Sequence, residues 1–147
     1  MAPRIGLDTN ILLRFVRSSE AQDFVILSSM RRLHDSGCRF CLTPQNIGEF
    51  WNVSTRPVNR NGFGLSPHET LLRLNQIEQS MTLLPDNARV YTIWRRLLID
   101  HAIQGVQVHD AHLAASLAAH GIRRLLTLNT ADFKRFTHLT VLRPEDI

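Results

Sequence analysis

The sequence predicts an α/β fold in three layers, with a central, mainly parallel sheet of four to five strands between two layers of helices. Short apolar runs alternate along the chain with longer stretches of helical period. This alternation is typical of parallel sheets, whose crossover helices cover both faces. The 147 residues are enough for one hydrophobic core, so we expect a single domain over residues 1–147.

Turn and cap residues delimit the predicted elements. The first strand ends at Asp8, and the other strands are predicted at 39–43, 81–84, 124–128 and 140–142. Helices are predicted from Asp8 to about 16, then over 20–35 and 44–55, from Ser66 onward, from a cap at Asp86 to about 101, and over 108–120. Residues 57–65 are predicted to be a loop because proline, asparagine and glycine dominate them.

Composition excludes several classes of protein. Hydrophobic residues make up 44% of the chain and charged residues 20%, which is ordinary for a globular protein. No apolar run approaches the ~20 residues that a membrane span requires. The first residues lead into a strand rather than a signal peptide. We therefore expect a cytoplasmic protein without membrane contact.

Cys38 and Cys41 have the C-x-x-C spacing of redox and zinc motifs. A zinc site needs a second pair of ligands at similar spacing, and the histidines supply no convincing one. A thioredoxin-like motif opens a helix, whereas these two residues flank a predicted strand. We interpret both as buried structural thiols.

The chain carries a net charge of +4, and 16 of its 17 basic residues are arginine. Arginine binds phosphate through two parallel hydrogen bonds, so this surplus suits an anionic polymer. A preference for arginine over lysine is also what a GC-rich genome produces. The charge therefore permits a nucleic-acid partner without requiring one.

Three carboxylates lie just beyond predicted strands or at a helix start. Asp8 ends the first strand, Glu49 lies two helical turns after the second, and Asp110 lies in the first turn of a helix. Each has a structural alternative, namely a helix cap, a surface glutamate and a charge paired with a helix dipole. Ligands bind where strand-to-helix turns converge at one sheet edge, so we expect the three carboxylates to meet there.

A polar turn after the strand at 124–128 is expected to join this edge. Like charges packed together repel, so an acidic cluster in a cleft needs a cation. Oxygen ligands suit Mg²⁺ or Mn²⁺, usually with phosphate as a further ligand. Such an ion lowers the pKa of a bound water and offsets charge that builds on phosphorus.

The motifs in this order resemble the PIN-domain ribonucleases and, among them, the VapC-type toxins of bacterial toxin–antitoxin pairs. The resemblance covers nearly the whole chain and rests on LDTNIL at 7–12, TPQNIGEFW at 43–51, HDAHLAA at 109–115 and LTLNTADF at 126–133. It implies a PIN-like domain that cleaves single-stranded or structured RNA with Mg²⁺ or Mn²⁺. The catalytic and metal-binding residues it implies are Asp8, Glu49 and Asp110.

Several residues are expected to support these acids. Asn10 lies beside Asp8, and Thr127 belongs to the closing motif. Asn129 departs from the family, where this position is often aspartate, so one negative charge is lost and a second metal site is weakened. Asp132 either contributes through water or caps the final helix. Phosphate contacts are expected from Arg14, Arg17, Arg56, His109 and His112.

The resemblance further implies a homodimer and an antitoxin whose C-terminal segment enters the acidic cleft. A cationic side chain there would displace the metal and block catalysis. Several helices carry more apolar surface than one thin core layer needs, so part of it is expected to form a symmetric interface. The residues concerned are Trp51, Val53, Leu71, Leu74, Trp94 and Leu98. The alternative is that all six are internal.

Other α/β enzymes fit the sequence less well. A receiver domain needs an aspartate after its third strand, and this chain has none there. A haloacid dehalogenase needs a second aspartate where this chain has Asn10. A dinucleotide-binding domain needs a glycine-rich turn after the first strand, which is absent. A metal-dependent HD hydrolase would use His109 and Asp110, but that fold is all-helical. The remaining alternative is a degenerate domain that binds RNA or a protein without cleavage. Asn129 favours this alternative, and the three intact carboxylates oppose it.

Overall fold

The computed structural model describes residues 2–17 and 21–147. In this part of the chain, five parallel strands form one sheet in the order β3-β2-β1-β4-β5. They are β1 (Arg4–Leu7), β2 (Arg39–Leu42), β3 (Thr82–Leu83), β4 (Arg124–Leu126) and β5 (Thr140–Leu142). The helices are α1 (Thr9–Arg17), α2 (Ala21–Asp35), α3 (Pro44–Thr55), α4 (Pro67–Ser80), α5 (Ala88–Asp100) and α6 (Gln107–Ala119). The predicted three-layer α/β/α fold is confirmed.

Some predicted boundaries differ from the structure for local reasons. Asn87 caps α5, since its Oδ1 accepts the Val90 N–H at 3.0 Å, so the predicted cap at Asp86 is wrong. Both residue types cap well, and type alone does not decide between neighbours. The loop at 57–65 contains a 3₁₀ turn at Val58–Arg60. The predicted start of α2 at Glu20 lies outside the described residues.

Two hydrophobic cores lie on opposite faces of the sheet because strand side chains alternate between the faces. Ile5 and Leu7 of β1 belong to one core, together with apolar residues of α1 to α4. Leu125 belongs to the other core, which contains most of the buried side chains of α6. Gly6 lies between Ile5 and Leu7, and a Cβ there would meet Leu117 of α6 at 2.5 Å. The glycine therefore lets α6 approach the sheet closely.

The parallel register brings the carboxyl ends of β1, β2 and β4 to one edge. At this edge Leu7 of β1 pairs with Leu126 of β4. The Asp8 N–H extends this pairing by donating a hydrogen bond to the Leu126 carbonyl at 3.0 Å. Asp8, Thr43 and Thr127 follow directly on the three strands. The sheet thus places three polar junctions side by side.

Cys38 and Cys41 are buried free thiols, as predicted. Burial raises the pKa of Cys41, which keeps its thiol neutral and unreactive. None of the helices in the described ranges combines the length and apolar character needed to cross a membrane.

Candidate active site

Asp8, Glu49 and Asp110 line one cleft of about 400 Å³ at the carboxyl edge of the sheet. Asp8 comes from the end of β1, Glu49 from the second turn of α3 and Asp110 from the first turn of α6. The structure therefore brings together the three carboxylates that the sequence singled out. The rest of the lining consists of Thr9, Asn10, Leu13, Asn52, Val53, Arg56, Asn129 and Asp132.

Hydrogen bonds fix the orientation of the Asp8 carboxylate. The Thr9 N–H donates to Oδ1 at 2.8 Å, and the Thr127 hydroxyl donates to Oδ2 at 2.7 Å. The first of these bonds satisfies an N–H at the start of α1, so Asp8 also serves the helix end. Burial raises the pKa of Asp8, both hydrogen bonds lower it, and the charges of Glu49 and Asp132 raise it.

The carboxyl of Asp110 has its pKa raised to about 6. Burial is the largest cause, and repulsion from Asp8, Asp132 and Glu49 adds to it. The charge of His109 acts in the opposite direction. The negative charges of Asp8, Asp132 and Glu49 therefore each hinder the ionisation of Asp110. A cation in the cleft would relieve this repulsion.

A buried hydrogen-bond network places α1 and α3 behind the cleft. The Asn46 amide accepts from the Thr43 N–H and hydroxyl at 2.9 and 3.0 Å, and donates to the Thr9 hydroxyl at 2.9 Å. Asn46 also forms a capping box with Thr43 at the start of α3. The sequence did not single out Asn46, because a bond to a residue 37 positions away leaves no local signal.

Thr127, Asn10 and Asn129 connect the end of β4 to the site. The Thr127 hydroxyl accepts the Asn129 N–H at 3.0 Å while donating to Asp8. The Asn10 Oδ1 accepts the Leu128 N–H at 3.4 Å. Asp132 lies in a 3₁₀ turn at Thr130–Phe133, at which no described side chain forms a cap. The predicted capping role of Asp132 is therefore wrong, and its side chain lines the cleft instead.

The five predicted phosphate-binding residues occupy different environments. Arg56 lines the cleft and donates to the Asn61 carbonyl at 3.3 Å. Arg14 and Arg17 lie 3.6 and 3.2 Å from the carboxylate of Asp23, which is fully buried. Asp23 accordingly ties both arginines to the start of α2.

The two histidines near Asp110 do not line the cleft. His109 is exposed, and its backbone carbonyl accepts a bond from the Gln45 amide at 2.9 Å. His112 lies against Trp94, with 4.5 Å between ring centroids. Its ring nitrogens lie 2.6 Å from Gln45 Oε1 and 3.2 Å from Asp86 Oδ1. Both ring nitrogens of His112 therefore have protein partners outside the cleft, and its contact with phosphate stays a prediction.

The donor chemistry of the cleft fits a hard divalent cation. Its carboxylate and amide oxygens are the ligands that Mg²⁺ and Mn²⁺ prefer. Over residues 2–17 and 21–147, no three His, Cys, Asp or Glu side chains converge closely enough to make a ready-made metal site. An open arrangement suits an ion that keeps several waters, as Mg²⁺ does.

The structure is similar to several solved toxin–antitoxin proteins. VapBC2 from Rickettsia felis, solved with a DNA fragment from their promoter, matches with a TM-score of 0.70 and 16% identity over 95% of this chain and 98% of that chain. DNA-bound VapBC from Salmonella typhimurium matches with a TM-score of 0.70 and 15% identity over 97% and 98%. VapC20 from Mycobacterium tuberculosis, a toxin that cleaves the sarcin-ricin loop, matches with a TM-score of 0.59 and 17% identity over 82% and 86%. At these identities the likeness shows a common fold.

No curated protein matches the sequence at a significant level. The PIN domain family model, by contrast, matches residues 5–139, which include β1 apart from Arg4, the whole of β2, β3 and β4, and every carboxylate of the cleft. The match covers far more than half of the chain. The chain therefore belongs to the PIN domain family.

Proposed function

We propose that the protein, as one PIN-like domain over residues 1–147, is a Mg²⁺- or Mn²⁺-dependent endoribonuclease. The observation that carries this proposal is the convergence of Asp8, Glu49 and Asp110 on one cleft, where mutual repulsion helps to raise the pKa of Asp110 to about 6. Clustered acids that repel one another destabilise the fold unless they serve a cation. A perturbed carboxyl in a cleft is typical of a functional site.

Asp8, Glu49 and Asp110 would hold the ion, and Asn129 would add a neutral amide oxygen nearby. When bound, such an ion supplies an activated water and neutralises charge that develops on the phosphate. Thr9 and Thr127 keep both oxygens of Asp8 in a fixed orientation. Asn10 and Thr127 hold the turn that carries Asn129.

Arg56 would bind an RNA phosphate beside the acids. It lines the cleft, and among the described residues no carboxylate lies within ion-pairing distance of its guanidinium. A guanidinium without a carboxylate partner beside the proposed metal site is suited to a phosphate oxygen.

The direct test is cleavage of single-stranded and structured RNA by the purified protein with Mg²⁺ or Mn²⁺. We expect cleavage that EDTA abolishes and that added metal restores. Cleavage that persists unchanged in excess EDTA would contradict the metal-dependent mechanism. RNA binding without any cleavage would favour a degenerate domain that only binds RNA. This alternative is supported by Asn129, which occupies a position where the family often has aspartate.

We further propose that the enzyme is the toxin of a toxin–antitoxin pair and forms a homodimer. The supporting observation is the fold that the chain shares with VapBC complexes from several bacteria. An acidic cleft would accept a cationic side chain of an antitoxin at the metal position. Co-expression with a small neighbouring reading frame tests this pairing, because a bound protein that leaves metal-dependent cleavage unchanged would not be an antitoxin.

The six predicted dimer residues differ in exposure, and two of them lie on α3, where Trp51 is half-buried and Val53 lines the cleft. Leu71 is 45% exposed on α4 and remains available to a partner. Leu74, Trp94 and Leu98 pack partly buried against the two cores, so half of the six residues contribute to the interior of the fold. Light scattering after size-exclusion chromatography tests the dimer, since a mass near 16.8 kDa at tens of micromolar would exclude it.

A further inference from the structure

We infer that Gln45 is a positioning residue of the acidic cleft: it ties the first turn of α6, which carries Asp110, to the helix that carries Glu49. The inference rests on the proposed function, because it concerns the ion that these two acids would hold. Gln45 itself does not line the cleft, and its side-chain hydrogen bonds within the described residues go to His109 and His112 rather than to the carboxylates there.

Helical geometry places Gln45 in line with the cleft. Residues four apart lie on the same side of a helix, so Gln45 sits one turn before Glu49 on α3. Asn52 and Arg56 continue the same side of the helix along the cleft. Because Gln45 and Glu49 belong to one helix, bonds that hold Gln45 against α6 also limit how far Glu49 can move away from α6.

One amide makes two bonds to the start of α6. The Gln45 Nε2 donates to the His109 carbonyl at 2.9 Å, and the Gln45 Oε1 lies 2.6 Å from His112 Nδ1. A carbonyl only accepts, so the amide nitrogen must face His109 and the amide oxygen must face His112. His112 Nδ1 then carries the proton of the second bond. His109 immediately precedes Asp110, so the first bond holds the backbone next to that carboxylate.

Two side chains from neighbouring helices bond to carbonyls in the first turn of α6 and so position this turn, while its first N–H groups donate to backbone carbonyls of the preceding turn. Val106 precedes the helix in a helical conformation, and no described side chain caps it. The Trp94 Nε1 donates to the Val108 carbonyl at 3.0 Å from α5. Trp94 and Gln45 thus hold two consecutive carbonyls of the first turn, one from α5 and the other from α3.

The tether opposes a force that the site itself creates. Asp110 is repelled by Asp8, Glu49 and Asp132, and this repulsion favours a wider separation of α6 from α3 and β1. Before an ion binds, the two Gln45 bonds keep the first turn of α6 in place. Loss of the tether is therefore expected to weaken ion binding more than it weakens the fold.

Two substitutions separate positioning from charge. Gln45→Glu keeps the size and the acceptor for His112 but replaces the donor to His109 with a second acceptor. Gln45→Ala removes both bonds. The matched controls are Gln76→Glu and Gln76→Ala, because Gln76 is exposed on α4 outside the cleft. The added negative charge of Gln45→Glu would by itself favour a cation, so weaker binding in this variant points to lost geometry.

The experiment titrates Mn²⁺ into each metal-free variant by electron paramagnetic resonance and measures RNA cleavage alongside. We expect both Gln45 variants to bind Mn²⁺ about tenfold more weakly, as is usual for residues that orient metal ligands. The kcat should fall while the KM for RNA changes little, and metal-free melting temperatures should stay close to those of the Gln76 controls.

Wild-type Mn²⁺ affinity and kcat in Gln45→Glu would overturn the inference while leaving the proposed function intact. If both Gln45 variants fail to fold, the residue is structural and the inference is overturned as well. Failure of the unmodified protein to bind Mn²⁺ or to cleave RNA would instead overturn the proposed function, and the inference with it.

Discussion

The carboxyl of Asp110 is expected to make the stability of the metal-free protein depend on pH. Its pKa rises from 3.8 to about 6 on folding, so the native state binds more protons than the unfolded state between these values. Stability is therefore greatest below the lower value and falls as the pH rises through about 6. After allowance for solvent screening of a partly exposed group, the loss is of the order of 1 kcal/mol.

Urea unfolding of the metal-free protein and of Asp110→Asn measures this effect. The unmodified protein should lose more stability than the variant between pH 4.5 and pH 7, because asparagine does not ionise. Mn²⁺ binding should show the opposite trend and strengthen over the same interval, since the metal competes with the proton. Parallel stability profiles for the two proteins would show that Asp110 titrates normally.

Arg56 and Arg14 are expected to behave differently although the sequence suggested a phosphate contact for both. Arg56→Gln should weaken RNA binding and flatten the slope of log affinity against log salt by roughly 0.7, the value for one contact to a single strand. Arg14→Gln removes a partner of the buried Asp23 and should lower stability instead. Arg32→Gln, at an exposed position of α2, is the control for the change in charge. Equal slopes for Arg56→Gln and Arg32→Gln would exclude a phosphate contact at Arg56.

The sequence was sufficient to predict that Asp8, Glu49 and Asp110 lie close together, because each occupies a polar junction that short apolar runs make visible. Helical geometry also separates His112 from the cleft. Asp110 and His112 are two residues apart, which places them about 200° apart around α6, so they do not share a face. The same spacing rule places Gln45 in line with Glu49. Its bonds to α6 were not predictable, since they join residues more than 60 positions apart.

At the scale of elements, Asn46 connects helix capping to the geometry of the site. Its amide bonds to Thr43 and Thr9, and its side chain is 1% exposed. Asn46→Ala removes the capping box and leaves the Thr9 and Thr43 groups without these partners, which should cost roughly 2–3 kcal/mol. Chemical unfolding measures the loss, with Asn75→Ala at an exposed position of α4 as the control. Equal stability for the two variants would show that the network contributes nothing.

The order and type of the elements were predictable for a physical reason that operates at this scale. The strands are short and apolar, and strongly helical segments separate them, so a parallel sheet with crossovers was the consistent solution. Cap residues fixed the start of α3 and α4 correctly, through Thr43 and Ser66. They failed at α5, where Asp86 and Asn87 are adjacent and residue type alone does not decide which of them caps the helix. Asp86 instead lies next to His112.

At the scale of the whole molecule, the proposed function depends on bringing distant parts of the chain to one sheet edge. Asp8 and Asp110 are more than 100 positions apart, and Thr127 reaches Asp8 across 119 positions. The sheet order β2-β1-β4 makes these residues neighbours. The sequence predicted that the junctions meet. The hydrogen bonds to Asp8 and the shift of the Asp110 pKa depend on burial, which only the folded chain defines.

Single-turnover RNA cleavage with Mn²⁺ by Asp8→Asn, Glu49→Gln and Asp110→Asn tests the central claim most directly. Each substitution keeps the shape of the side chain and removes one charge, so folding should survive, as metal-free melting curves would verify. We expect each variant to lose more than about 100-fold in rate, beyond the range for residues that only orient metal ligands. Asn75→Ala should cleave at the wild-type rate. A folded Asp8→Asn variant that cleaves RNA as fast as the unmodified protein would contradict a catalytic role for this acidic cleft.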